Sequence, residues 1–202
     1  DIFAATLSTA QSILWGLGLS LIIGVSSALI FFSIPIARRA VLPFCIFFQT
    51  VPIIAIAPLL VIWFGYGQPT VNASAFIVSL FPILANTLTG LQETDPQLKE
   101  LFRLYKPSRW QLVFKLQIPS AIPYIITGIK ISAGLAVVGA IVGEFIAGGG
   151  LGSLIDAART QQRVDLVFSG VFMSSALALS LVYTINLMTG LLFRNRPYLR
   201  KQ

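Results

Sequence analysis

The chain has no histidine and one cysteine among its 202 residues. The first absence removes the side chain most used for acid–base catalysis near neutral pH, which is also the commonest metal ligand. The second excludes an intramolecular disulfide and any cysteine-based metal site, because Cys45 has no partner in this chain. Acids are scarce as well, seven in all, and none forms a carboxylate pair beside a plausible nucleophile. The phosphate-binding pattern Gly-x-x-x-x-Gly-Lys-Ser/Thr occurs nowhere, although Gly148, Gly149, Gly150 and Gly152 crowd one short stretch. These absences argue against a membrane-embedded enzyme.

What is present is apolar. Hydrophobic residues make up 56% of the chain and charged residues 10%, against about 25% charged in an average soluble domain, and the mean hydropathy is +0.86. No charge occurs from Ala40 to Gln92. As one helix at about 1.5 Å per residue that run would reach roughly 80 Å, far beyond a ~30 Å hydrocarbon core. It therefore folds into two spans, and Gly65-Tyr66-Gly67-Gln68-Pro69 supplies the turn between them. The same test places spans at about 9–33, 40–64, 70–92, 120–146 and 166–193, so the expectation is a single all-α transmembrane domain over 1–202 with a polar insert at 93–119.

The net charge of +7 is distributed as a topology signal. Arg38 and Arg39 follow the first span, Lys99, Arg103, Lys106, Arg109 and Lys115 the third, and Arg194, Arg196, Arg200 and Lys201 the fifth; Lys130 lies near the same face. Only Arg159 and Arg163 fall on the other side. Basic loops face the cytoplasm, so the expectation is a multi-pass protein of a bacterial-type plasma (inner) membrane with a cytoplasmic C-terminus, in contact with lipid and with no role for nucleic acid. Asp1 is then external, and the sequence begins with neither Met nor a signal peptide. A sixth span upstream, placing both ends in the cytoplasm, is expected; a full-length gene without an apolar run there contradicts it.

In the first span Gly16, Gly18, Ser20, Gly24, Ser26 and Ser27 offer small surfaces for close helix approach. Pro43, Pro52 and Pro58 are expected to kink or break the second, freeing backbone groups that are tolerated only against protein or a water-filled cavity. That span is therefore a pathway candidate, although proline is also simply commoner in membrane helices. The insert reads as helix, turn, helix. Thr94 or Asp95 can cap a helix with Pro96 in its first turn, and Leu98, Leu101, Phe102 and Tyr105 recur as one apolar stripe. Lys106-Pro107-Ser108 ends it, a second piece over 108–117 carries Trp110, Val113 and Phe114, and Pro119 starts the return to the membrane. Such an insert docks a partner or lies on anionic lipid. The glycine-rich stretch from Ala147 to Ile155 reads as an outer re-entrant or gating loop, or as a plain connector.

The insert resembles the cytoplasmic signature of the integral membrane subunits of binding-protein-dependent ABC importers: Glu-Ala-Ala, three residues, Gly, nine residues, Ile, one residue, Leu-Pro. Glu100 takes the Glu position, Leu116 and Ile118 those of Ile and Leu, and Pro119 the proline; Leu101 and Phe102 stand for the alanines and Lys106 for the glycine. QTVPIIAIAPLLVIWFGYG, FPILANTLTGL and IPSAIPYIITGIKISAGLAVVGAIVGEFIAGGGLGSLI look like the nitrate, sulfonate, taurine and thiamine-precursor branch. The GIKI and VGEF stretches, with Lys106, look closest to members linked with pyrimidine or other heterocycle uptake.

The resemblance implies a type I ABC importer transmembrane domain, paired as a homodimer, each subunit docking one ATPase, with an external binding protein delivering a small solute. No cofactor is expected on this chain; ATP and Mg belong to the partner ATPase. Glu100, Leu101, Phe102, Arg103, Tyr105 and Lys106 are the expected coupling residues. Gln49, Thr50, Trp63, Asn86, Lys130 and Glu144 are pathway candidates, each with a bland alternative: bonding between helices for the neutral groups, snorkelling for Lys130, pairing for the buried acid. An ion-gradient transporter is the competing class, and it has only Glu144 as an intramembrane acid for coupling.

Overall fold

The computed structural model describes residues 2–193. Asp1, Arg194, Arg196, Arg200 and Lys201 lie outside the described residues, as do the side chains of Arg38 and Arg109. Among the described residues there is no strand. The helices run α1 (Ile2–Ser33), α2 (Pro35–Thr50), α3 (Ile53–Phe64), α4 (Gln68–Gln92), α5 (Pro96–Leu104), α6 (Arg109–Leu112), α7 (Ile118–Ala147), α8 (Gly150–Thr160) and α9 (Val164–Leu192), with a π-helical turn at Val113–Gln117 joining α6 to α7. By length and composition, four of these crossings are single continuous helices, and the bent pair α2 and α3 can supply a fifth.

Helix α4 is the centre of the bundle, held between a parallel α1 and an antiparallel α7. Small residues make that approach possible. Gly16 of α1 lies against Ala75, and Gly24 against Ile83. On the other side Gly128 faces Pro82, Ile83 and Asn86, while Gly139 and Gly143 face Val71 and Ser74. Three serine hydroxyls join the three helices: Ser20 Oγ and Ser79 Oγ are 2.6 Å apart, and Ser132 Oγ donates to the Ser79 carbonyl at 2.6 Å. Interhelical bonds of this kind are worth roughly 0.6 kcal/mol each in a bilayer, so close packing carries most of the association.

That balance yields a paired prediction. A Cβ at Gly139 would stand 2.7 Å from the Ser74 carbonyl oxygen and 3.0 Å from Ala75 Cα, both backbone atoms that move only with the helix, whereas one at Gly134 meets nothing within 4 Å. Gly139→Ala is expected to destabilise the bundle by about 1–3 kcal/mol and Gly134→Ala to leave it within about 0.5 kcal/mol. Thermal melts of the two detergent-solubilised variants check the contrast.

The stretch expected as the second span breaks at one of its three prolines. Helices α2 and α3 meet at 93° across Val51 and Pro52, while Pro43 and Pro58 remain inside helices. The residue before a proline is pushed out of the helical region, and a β-branched side chain prefers extended backbone. Val51 precedes Pro52 and adopts φ −72, ψ 121; Leu42 and Ala57 precede the other two.

The helix into α7 begins earlier than the expected start at Pro119. It runs from Arg109 through the π turn into α7, with the Ile118 amide bonded to the Val113 carbonyl, five residues back. Proline lacks an N–H and clashes with the carbonyl four residues before it. The extra residue in the π turn shifts that register, and the helix passes Pro119 without ending.

Candidate functional site

Two regions carry most of the expected functional residues, one beyond the end of α4 and one beside its middle. The first is α5, beyond the end of α4. Asp95 accepts from the Gln97 amide at 2.8 Å and Pro96 occupies the first turn, so the expected start is observed. No residue of α5 is buried, and no helix among the described residues packs extensively along it. Leu101 is 53% exposed, Leu104 78% and Tyr105 82%, with Leu98 and half-buried Phe102 beside them. Glu100 and Arg103 are exposed on the same short helix, without an ion pair among the described residues. Lys99 Nζ donates back to the Gln92 carbonyl at 3.2 Å and ties α5 to the end of α4.

Lys106 explains one departure from the signature. It sits just past α5 at φ +44, in the left-handed region that glycine enters freely and a lysine enters at a cost of roughly 1 kcal/mol. The family's glycine position is thus a helix-stopping bend here, and this chain makes that bend without glycine. Ser108 then opens the next helix through a reciprocal cap that sequence reading passed over: its Oγ accepts from the Gln111 amide at 3.2 Å, and its own amide donates to Gln111 Oε1 at 2.9 Å. The Ser-x-x-Gln spacing was a legible sign of it. Trp110 and Phe114 stack at 5.8 Å on the exposed side of this piece.

The second region is a cleft of about 340 Å3 at the α2–α3 break, lined among others by Phe48, Gln49, Thr50, Ile77, Phe81 and Leu135. Ile77 and Phe81 lie near the middle of α4, and Leu135 near the middle of α7. Gln49 and Thr50, adjacent in sequence, both line this cleft. Among the described residues, no charged side chain lines the cleft.

The remaining pathway candidates are elsewhere. Trp63 is exposed on α3 away from the cleft. Asn86 Nδ2 donates to the Pro82 carbonyl of its own helix at 2.8 Å. Lys130 is half-buried, with no ion pair among the described residues. Glu144 is at the end of the bundle opposite α5 and only 1% exposed. Its Oε1 accepts from Thr9 Oγ1 at 2.7 Å and its Oε2 from the Gly152 amide at 2.8 Å, while the Leu151 amide donates to Thr9 Oγ1 at 2.9 Å. The carboxylate thus caps the N-terminus of α8, where free amides and the helix dipole favour negative charge. A Cβ at Gly150, itself at φ +62, would overlap that carboxylate. The glycine-rich stretch is accordingly the start of a helix clamped to α1 and α7. Thr9, unremarked in sequence, completes the clamp.

The fold matches that of the MetNI methionine ABC transporter in its inward-facing crystal form, with a TM-score of 0.70, 16% identity, and coverage of 92% of this chain and 94% of the other. The architecture is that of a type I ABC importer transmembrane domain. Residues 20–196 match the family described as binding-protein-dependent transport system inner membrane component, and the chain belongs to that family. It is a multi-pass membrane protein, the permease subunit of an ABC importer, a kind of subunit that works with an ATPase and a substrate-binding protein. Among its relatives are the formylaminopyrimidine transport permease protein ThiX of Halalkalibacterium halodurans, 37% identical over 93% of this chain and 74% of that protein, and the riboflavin transport system permease protein RibX of Chloroflexus aurantiacus, 34% identical over 78% and 59%. The putative aliphatic sulfonates transport permease protein SsuC of Bacillus subtilis is 31% identical over 80% and 58%.

Proposed function

We propose that this subunit imports a small, uncharged heterocycle of the pyrimidine or thiamine-precursor kind, received from an external binding protein and driven by a partner ATPase that binds ATP and Mg. The observation that carries the coupling half is the unburied apolar stripe of α5. A nine-residue helix that no helix among the described residues packs along extensively gains little by folding alone, and large exposed side chains are the anchors of protein interfaces. Leu101, Phe102 and Tyr105 enter the ATPase, with Glu100, Arg103 and Lys106 around them. The α5 end and the C-terminus face the cytoplasm, in line with the basic residues concentrated there. The working unit is a homodimer in the lipid bilayer, as the branch it resembles implies.

Two observations favour a heterocycle over nitrate or a sulfonate: the central cleft has no cation to meet an anion, and the 37% identical relative is a formylaminopyrimidine permease. The test is uptake by proteoliposomes holding the permease, its ATPase and its binding protein. ATP-dependent accumulation of radiolabelled formylaminopyrimidine, unaffected by excess sulfonate, is expected. Accumulation of the sulfonate instead would overturn the substrate assignment, and ATP-independent, ion-gradient-driven uptake would overturn the coupling.

A further inference from the structure

The cleft at the α2–α3 break holds more than an absence of charge. Phe48 of α2 and Phe81 of α4 both line it and stack directly on each other, ring centroids 5.0 Å apart and planes within 10°. Phe44 and Phe47 back the Phe48 ring at 4.8 and 5.5 Å. The break also strips the backbone. Thr50 Oγ1 returns to the Phe47 carbonyl at 2.7 Å and the Val51 amide reaches the Phe48 carbonyl at 3.4 Å. Among the described residues, no hydrogen bond reaches the Gln49 or Thr50 carbonyl. Unpaired acceptors at the end of a helix are satisfied by water or by a ligand, and here the two residues that carry them line the cleft together with its apolar side chains.

Resting on the substrate reading above, we infer that Phe48 and Phe81 form an aromatic gate in the translocation pathway that recognises a planar, uncharged, amino-bearing ring. The flat face of the ring replaces one Phe face against the other in offset stacking, while its amino edge donates to the bare carbonyls of Gln49 and Thr50. A cavity near 340 Å3 lies at the small end of ligand sites, about 300–1,000 Å3, which suits a one-ring solute. A tetrahedral anion gains neither the stacking nor a donor from these carbonyls. The gate is thus a specificity element inside the membrane, separate from whatever selection the binding protein makes.

The experiment uses the complete complex of permease, ATPase and binding protein in proteoliposomes, with radiolabelled formylaminopyrimidine as probe and ATP hydrolysis measured alongside. Phe81→Leu, which keeps apolar bulk and removes the ring, is expected to cut uptake about tenfold, the scale of one lost stacking contact of about 1.4 kcal/mol. The number of ATP molecules spent per solute carried rises correspondingly. Phe81→Tyr keeps the ring and restores most of the uptake. Should Phe81→Leu fail to assemble, Phe48→Leu on the opposite side of the stack gives the same readout. Wild-type uptake that Phe81→Leu and Phe48→Leu leave unchanged overturns the gate and spares the substrate reading. A wild type that carries no pyrimidine overturns both.

Discussion

Replacing Leu101 and Phe102 together by aspartate is expected to abolish ATP-driven uptake and to release the ATPase from the purified complex. Each anchor of an interface is worth on the order of 2 kcal/mol, so losing two weakens docking by about 10²–10³ before any repulsion from the new charges is added. The bundle itself should survive, because α5 has no buried residue and no helix among the described residues packs extensively along it. An unchanged elution volume of the permease alone, beside loss of the ATPase from pull-downs, is the expected pair of observations. Glu100→Ala should do much less, since an exposed charge contributes about 0–1 kcal/mol. A double variant that still retains its ATPase would leave the stripe without a function.

The second large effect concerns Glu144. Glu144→Ala removes the acceptor of the Gly152 amide and the partner of Thr9, and opens a cavity among α1, α7 and α8. An orphaned buried donor costs about 1–3 kcal/mol, and the cavity adds to it; together about 3 kcal/mol of stability should go. Glu144→Gln separates the two roles open to this acid. The amide oxygen can still accept from Gly152 and its nitrogen can donate to Thr9 Oγ1, so a clamp survives the change while a pathway charge does not. Melting temperature and uptake close to wild type for Glu144→Gln, with both lost in Glu144→Ala, are expected. Gly150→Ala should mimic the alanine variant by forcing a side chain into the carboxylate. Loss of uptake in Glu144→Gln with unchanged stability would return the residue to the pathway.

Much of this architecture is readable from local chemistry. A charge-free run too long for one crossing, punctuated by Gly65 and Gly67, divides into spans without knowledge of partners. Asp95-Pro96 announces a helix start, and the Leu98, Leu101, Phe102, Tyr105 spacing announces an amphipathic face. Which proline breaks the second span is also written locally, in the β-branched Val51, but only when the preceding residue is weighed along with the proline. The features that escaped reading depend on distance or backbone register. Nothing near Thr9 signals an acid 135 positions away. The π turn at Val113–Gln117 is a single extra residue spread over one helical turn, and it leaves no mark in the hydrophobic period. Lys106 shows the opposite case: the family position called for glycine, and the left-handed backbone persists without it. Trp63 and Asn86 are pathway candidates on polarity alone, which does not say whether a side chain looks into a cleft, out of the bundle or back to its own helix.

The central claim is that α5 is the surface on which the ATPase sits. Site-directed crosslinking tests it most directly, and the buried Cys45 makes it simple: in a Cys45→Ser background, Leu101→Cys, Tyr105→Cys and, as a control on the exposed side of α1, Ile22→Cys are treated in assembled membranes with a short thiol-to-amine reagent. Crosslinks to the ATPase from positions 101 and 105, absent from position 22, are predicted. Crosslinks from none of them, or capture of the ATPase only from another part of the chain, would contradict the account.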